Sequence, residues 1–162
     1  MTKPAREDKP KPEPTAARAP DELDRVTRKH LAFGWWALAI YTFVGLVLEG
    51  AHGLKLGWYL DVTAGTRRLS LTLGHAHGTL LGLVNIAFAL SLRHASLSPG
   101  ALARASFALR LATVLLPAGF LLGGFVVYSG DPGLAIVLVP PSAVILIIGV
   151  ATMARGFSAR GE

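Results

Sequence analysis

The sequence predicts an all-α polytopic membrane protein, a four-transmembrane-helix bundle preceded by a disordered N-terminal tail. Of its 162 residues, 52% are apolar and only 16% are charged, whereas soluble domains carry about a quarter charged residues. Four apolar stretches are each long enough to cross a hydrocarbon layer of about 30 Å, which takes roughly 20 helical residues. None shows the two-residue alternation of an outer-membrane strand, so helices are the expected spanning structure.

Residues 1–24 are predicted to form a disordered, Pro/Lys-rich tail. Residues 1–30 hold eight of the sixteen Lys and Arg residues, six of the ten acids and five of the ten prolines. Such a mixed-charge, proline-rich segment buries too little apolar surface to offset the entropy of ordering. A helix start is predicted from about Asp21, because Asp21, Glu22 and Asp24 precede the first apolar positions.

The transmembrane domain is predicted over residues 25–156, followed by a short cytoplasmic end at 157–162. Its four spans are predicted at Leu31–Gly53, Leu71–Leu92, about Phe107–Tyr128 and Leu134–Ala154. The sequence Tyr128–Gly133 predicts a tight turn after the third span. Pro140 and Pro141 lie inside the fourth apolar run and are expected to kink it.

The loops predict the orientation in the membrane. The tail, the second connection and the C-terminal end together carry 13 Lys and Arg residues, whereas the other side carries 3. The positive-inside rule therefore places both termini in the cytoplasm, with the chain in a bacterial inner (plasma) membrane. Trp58 and Tyr59 are then expected at the outer interface, as amphipathic rings prefer.

Composition also excludes several function classes. Cysteine is absent, which excludes disulfides, thiolate catalysis, Cys-ligated zinc and iron–sulfur clusters. The positive charge is concentrated in a mixed-charge tail, so no nucleic-acid partner is expected. Serine nucleophiles and phosphate-binding loops find no support. The sequence does not name a reaction, and whether the chain is an enzyme is left open.

Chemically active side chains are concentrated at the outer ends of the first two spans. Glu49 and His52 end the first span, and His75 and His77 begin the second, so all four are expected in the same leaflet. Glu49 and His52 are three residues apart and share a helix face, as Glu/His metal ligands do in carboxylate helix bundles. His75 and His77 are about 200° apart around the second helix, so they cannot both chelate one ion.

This cluster predicts a ligand site. Neutral imidazoles suit haem iron, copper or zinc, so His52, His75 and His77 are the predicted cofactor ligands, with Glu49 as a further metal ligand. The residues expected to support the site are Lys55, Arg67, Arg68, Asn85 and Tyr128. Of these, Arg67 and Arg68 are the expected structural partners of Glu49, and Lys55 is the expected snorkelling anchor. His30 and His94 are expected at the cytoplasmic ends of the spans, without a ligand role.

The motifs around the cluster resemble two groups of membrane proteins. They read Glu49-x-x-His52-Gly53-x-Lys55, then Thr66-Arg67-Arg68, then Gly74-His75-Ala76-His77-Gly78-Thr79-Leu80-Leu81-Gly82. This pattern, which covers mainly residues 45–90, resembles small uncharacterised bacterial four-span proteins with H-x-H at the start of the second span. It resembles more distantly haem–copper oxidase subunit one, where H-x-H ligates two haems on opposite helix faces. That resemblance implies a ligand role for His75 and His77. It does not imply oxidase activity, because the chain has far fewer spans and no adjacent His-His pair for copper.

Two functions are compatible with these features. In the first, the Glu/His cluster binds a haem or a transition metal (copper, zinc or iron) from the outer side, for electron transfer or metal handling. In the second, the chain is a non-catalytic accessory or assembly subunit, or a proton relay, whose Glu/His/Arg cluster is a structural hydrogen-bond network. The expected partners are the lipid bilayer and either other membrane subunits or further copies of the chain.

Overall fold

The protein is an all-α bundle of four long helices, each long and apolar enough to cross a membrane. A computed structural model describes residues 18–61 and 65–159, with side chains from Glu22 onward. The helices are α1 (Arg18–Gly53), α2 (Gly57–Leu60), α3 (Gly65–Ser91), α4 (Pro99–Phe125) and α5 (Val139–Ser158). Single 3₁₀ segments follow α3 at Leu92–His94 and precede α5 at Leu134–Leu138. The predicted class is therefore confirmed, and each predicted span corresponds to one long helix.

Helix α1 begins earlier than the predicted tail boundary. It already includes residues 18–24, whereas the rest of the predicted tail, residues 1–17, lies outside the described residues. Glu22 and Asp24 lie in its second turn. Asp24 also accepts a hydrogen bond of 3.0 Å from Arg93, beyond the end of α3.

The helices pack in chain order, α1 against α3, α3 against α4, and α4 against α5. In their most apolar segments, 39% of residues in α3 and 50% in α4 are buried, compared with 11% in both α1 and α5. Helices α3 and α4 therefore form the centre of the bundle. The outward faces of α1 and α5 carry exposed large apolar side chains, which suit contact with lipid.

Glycines on α3 let α1 approach closely. A Cβ atom on Gly82 would lie 3.0 Å from the backbone nitrogen of Leu38 and 3.1 Å from the carbonyl oxygen of Gly34. A Cβ on Gly78 would collide with the ring of Tyr41. Small residues at such positions allow dispersion contacts between helix backbones in a membrane. Gly78 and Gly82 therefore allow the close contact between α1 and α3.

The bundle has two chemically different ends. The basic end comprises the start of α1, the connection between α3 and α4, and the end of α5. It holds an apolar core of Phe88, Leu92, Leu102, Ala105 and Leu109. The histidine end comprises the end of α1, helix α2 and the start of α3, where Ala51, Tyr59 and Leu71 form a second buried cluster.

Between α4 and α5, the predicted tight turn is a two-residue β-hairpin. Strand β1 (Val127–Tyr128) pairs antiparallel with β2 (Asp131–Pro132). The central residues Ser129 and Gly130 both have positive φ, 48° and 89°, as the right-handed strand twist favours in such turns. The hydroxyl of Thr66 at the start of α3 donates to the carbonyl of Gly130 and ties the hairpin to the bundle.

The prolines predicted to kink the fourth span lie where its helix type changes. The span divides into the 3₁₀ segment Leu134–Leu138 and the α-helix, and the proline pair lies in the first turn of α5. Proline is tolerated there because the missing N–H has no partner within the helix. Pro140 and Pro141 therefore stand at the start of α5, directly after the 3₁₀ segment.

Candidate ligand-binding site

His75 is seated in the contact between α1 and α3. Its ring lies directly against Gly45, where an added Cβ would be 2.4 Å from the ring carbon Cε1. Its Nδ1 donates a 2.7 Å hydrogen bond to the carbonyl oxygen of Tyr41 on α1. Because a carbonyl only accepts, Nδ1 carries a proton, and in the neutral imidazole Nε2 then keeps its lone pair. The glycine on α1 thus provides the room that the histidine on α3 requires.

A cavity of about 160 Å³ adjoins this histidine. Its lining comes from α1, α2 and α3 and comprises Thr42, Gly45, Leu48, Glu49, Tyr59, Thr72 and His75. Glu49 and His75 therefore face a common space, as predicted from the ends of the two spans. The cavity is lined by a carboxylate, an imidazole, a phenol and two hydroxyl-bearing threonines, which together offer several polar ligand atoms.

Tyr59 belongs to this site, although the sequence interpretation assigned it to the outer interface. Only 6% of its surface is exposed, because the single turn α2 folds back over the end of α1 and brings the ring inward. The chain reverses at Lys55, whose φ of 53° is left-handed, and Leu56 N–H then donates to the carbonyl of Ala51. Such a bond pattern closes a helix C-terminus.

His52 lies at the edge of the same region. It is exposed, and its ring contacts that of Tyr59 edge-on with a centroid separation of 6.5 Å. Glu49 is also exposed. The shared α1 face that the i, i+3 spacing predicted therefore lies beside His75 but at the bundle surface.

His77 lies on the other side of α3. Its Nδ1 donates to the carbonyl of Leu73, one turn earlier, at 2.8 Å. Its ring stacks on Phe120 of α4 with centroids 5.1 Å apart. The predicted separation of the two H-x-H histidines is confirmed, since His75 faces α1 and His77 faces α4.

The four predicted ligands do not form one cluster. Over residues 18–61 and 65–159, no group of three or more His, Asp or Glu side chains could hold a metal ion together. Helix geometry accounts for this, because the two-residue spacing on α3 turns His77 away from the α1 face that carries Glu49 and His52.

The predicted supporting residues have other partners. Arg67 donates to the carbonyl of Trp58 at 2.8 Å and stacks over its ring at 4.8 Å, so it does not pair with Glu49. Arg68 is half-buried near the start of α3, without a contact to Glu49 in the described structure. Lys55 is exposed and lies two residues beyond the end of α1. Tyr128 is 71% exposed in the hairpin. None of these four lines the cavity beside His75.

Asn85 belongs to a second polar cluster, which the sequence analysis missed. Nδ1 of His30 donates to Asn85 Oδ1 at 2.8 Å, and the hydroxyl of Ser106 donates to His30 Nε2 at 2.9 Å. The Asn85 amide donates to Thr113 Oγ1 and to the carbonyl of Leu81, both at 2.8 Å. His30 and Asn85 are both fully buried. The network links α1, α3 and α4, and it lies about 15 Å along α3 from His75.

His30 was expected at a cytoplasmic helix end because the hydropathy of the first span begins at Leu31. A helical stripe of His30, Gly34, Ala37, Tyr41 and Gly45 was the available signal, since these positions recur every three to four residues. The structure buries the first three of them and half-buries the other two.

Comparison of the chain with protein-family models, curated proteins and solved structures finds no match.

Proposed function

We propose that the protein binds a transition-metal ion at the histidine end, with His75 as the principal ligand and Glu49 as the second. The observation that carries this is the hydrogen bond from His75 Nδ1 to the carbonyl of Tyr41. Metal-ligating histidines almost always donate their other ring N–H to a carbonyl, carboxylate or water, which fixes the tautomer and the ring orientation. His30 provides the contrast, because both of its ring nitrogens are already used.

The donor set indicates the class of ion. An imidazole nitrogen and a carboxylate oxygen suit Cu(II) or Zn(II), which lie near the top of the affinity order of divalent metals. A cavity of about 160 Å³ has room for an ion and its bound waters, so of the two predicted ligands, haem and a metal ion, we favour the ion.

Incomplete protein coordination favours metal handling over a structural metal site. Structural zinc sites use four protein ligands, whereas His75 and Glu49 supply two and leave the remaining positions to water or to a ligand on a partner. His52 lies exposed beside Tyr59 at the rim of the site, where it suits capture of an incoming ion. His77 faces α4 and takes no part in this proposal.

Removing the His75 imidazole should abolish metal binding. We expect the detergent-purified full chain, equilibrated with Cu(II) or Zn(II) and desalted, to retain about one ion per chain. His75→Ala should lose it, and Glu49→Gln should weaken binding roughly tenfold, as loss of one ligand costs about 1.4 kcal/mol or more. His94→Ala is the matched control, because His94 is exposed at the basic end.

Elemental analysis and a metal titration provide these measurements, with an absorption spectrum after addition of haem as a further arm. Glu49 is exposed, so Glu49→Gln tests the site without disturbing the core. Metal retention that is equal in the wild type, His75→Ala and Glu49→Gln would contradict the proposal. A Soret band that is lost in His75→Ala would show that the site binds haem and not a metal ion.

The second candidate function is that of a non-catalytic accessory or assembly subunit. The buried network of His30, Asn85, Thr113 and Ser106 supports it, because its hydrogen bonds join three helices and leave neither His30 nitrogen for a ligand. The hydroxyl proton of Thr113 is also used in a hydrogen bond, which it donates to the carbonyl of Leu109 at 2.7 Å. A proton relay through this network would have to break several of these bonds, so the network fits helix specification better. A metal-free, colourless and stably folded protein would favour this candidate.

We also propose the orientation that the positive-inside rule predicts, in a bacterial inner membrane, with the histidine end outside. The chain contains no cysteine, so single cysteines report sidedness without background. Lys55→Cys should react with a membrane-impermeant maleimide when only the outer face is accessible. Ser96→Cys, exposed between α3 and α4, should react only after permeabilisation. Labelling of Ser96→Cys, and not of Lys55→Cys, from the outer face would place the histidine end in the cytoplasm.

A further inference from the structure

A cleft between α1 and α4 at the basic end has the features of an anion site. Its volume is about 160 Å³, and its lining includes Arg25, Lys29, Arg110 and Ser106, with Glu22 as the single acid. Glu22 forms an ion pair with Arg25, in which Glu22 Oε1 lies 3.7 Å from Arg25 Nη2. Lys29 and Arg110 then leave an excess of positive charge in the cleft.

Arg110 lies unusually deep for a cation. It is eleven residues from the start of α4, about 16 Å along the helix axis, and its side chain is half-buried. Its Nε donates to the carbonyl of Ser106 at 3.3 Å. Among the described residues, no carboxylate pairs with its guanidinium. A charged side chain within a span is costly and generally marks a binding partner.

The surface that continues from the cleft into the membrane is apolar. Trp36 lies seven residues after Lys29 on α1, hence on the same helix side, and is 70% exposed. Val114 lies one turn beyond Arg110 on α4 and is 49% exposed. A ligand that fills the cleft with an anionic group and extends along α1 and α4 therefore needs an apolar tail.

We propose that this cleft binds the phosphate headgroup of an anionic phospholipid, with an acyl chain along the adjoining faces of α1 and α4. Guanidinium groups bind phosphate through paired N–H donors, and basic pockets between membrane helices suit anionic headgroups. The shared chemistry is that of a phosphate anion, and the apolar continuation selects the lipid over free phosphate. This site lies at the opposite end from the proposed metal site and is independent of it.

The test uses the full chain purified in a neutral detergent and follows its thermal unfolding midpoint. Added phosphatidylglycerol should raise the midpoint by about 3 °C or more, as preferential binding to the folded state requires. Phosphatidylcholine at the same mole fraction should not. Lys29→Gln and Arg110→Gln should each lose most of the shift. Arg104→Gln is the matched control, because it removes the same charge from an exposed position on α4 that does not line the cleft.

Three outcomes would overturn the proposal. Equal loss of the shift in Arg104→Gln and Arg110→Gln would indicate a diffuse charge effect. An equal shift with inorganic phosphate in lipid-free micelles would assign the cleft to a soluble anion. An unfolding midpoint that phosphatidylglycerol does not change would contradict the existence of the site. Since Lys29 is exposed, Lys29→Gln keeps the test decisive even if Arg110→Gln folds poorly.

Discussion

Asn85→Leu is expected to lower the free energy of unfolding by about 2 kcal/mol, although leucine is branched at the same carbon. Asn85 accepts from His30 and donates to Thr113 and to the carbonyl of Leu81, all while fully buried. Leucine would leave the Nδ1–H group of His30 without an acceptor, and an unsatisfied buried polar group costs about 1–3 kcal/mol. Reversible unfolding in mixed detergent micelles measures the change.

A double-mutant cycle separates this network from general packing. His30→Leu combined with Asn85→Leu should cost less than the sum of the single changes, because the double variant no longer contains the orphaned donor and acceptor. Thr152→Val is the control, since Thr152 is only partly buried and its hydroxyl donates to the carbonyl one turn earlier in an exposed hydrogen bond, and we expect a change below about 0.5 kcal/mol. Additive losses in the cycle would show that His30 and Asn85 do not act as a unit.

The sequence predicts the number and order of the spans because span length and apolar composition depend only on local residues. It also predicts that His75 and His77 face apart, since a two-residue spacing on a helix has one geometric outcome. The cavity beside His75 is different. One of its seven lining residues, Tyr59, is brought in by the reversal at Lys55 and the single turn α2, and no periodicity in residues 54–60 predicts that turn.

The buried network around His30 and Asn85 is not predicted from the sequence for a related reason. Hydropathy places the start of the first span at Leu31 and makes His30 an interfacial residue. Its burial depends on which helices pack beside α1, because the partners Asn85 and Ser106 come from α3 and α4. Pairings across 55 and 76 residues are fixed by tertiary packing and not by local pattern.

Gly45→Ala is expected to disrupt the His75 site more than any other single-methyl change on α1. The new Cβ would lie 2.4 Å from Cε1 and 2.8 Å from both ring nitrogens of His75. The ring must leave its seat or push α1 from α3, and such overpacking costs about 1–3 kcal/mol. The hydrogen bond from Nδ1 to the carbonyl of Tyr41 should be lost with it, and we expect metal affinity to fall at least tenfold.

Gly50→Ala provides the matched control on the same helix. No heavy atom beyond the local helix backbone lies within 4 Å of a Cβ built at Gly50, so this change should stabilise α1 by about 0.5–1 kcal/mol through the helix propensity of alanine. The two Gly→Ala changes should therefore move the unfolding free energy in opposite directions. Similar effects of both changes would show that the ring does not occupy the space above Gly45.

Combining Gly45→Ala with His75→Ala tests the cause of the expected damage. Removal of the imidazole frees the space that the new methyl requires, so the double variant should be less destabilised than the sum of the two single changes. The ¹⁵N signals of a histidine-labelled sample provide a direct readout. The wild type should show His75 protonated at Nδ1, and Gly45→Ala should lose this signature while His77, on the opposite side of α3, keeps its own. A His75 signal that is unchanged by Gly45→Ala would mean that the Tyr41 carbonyl does not fix the tautomer, and the argument for His75 as a ligand would lose its basis.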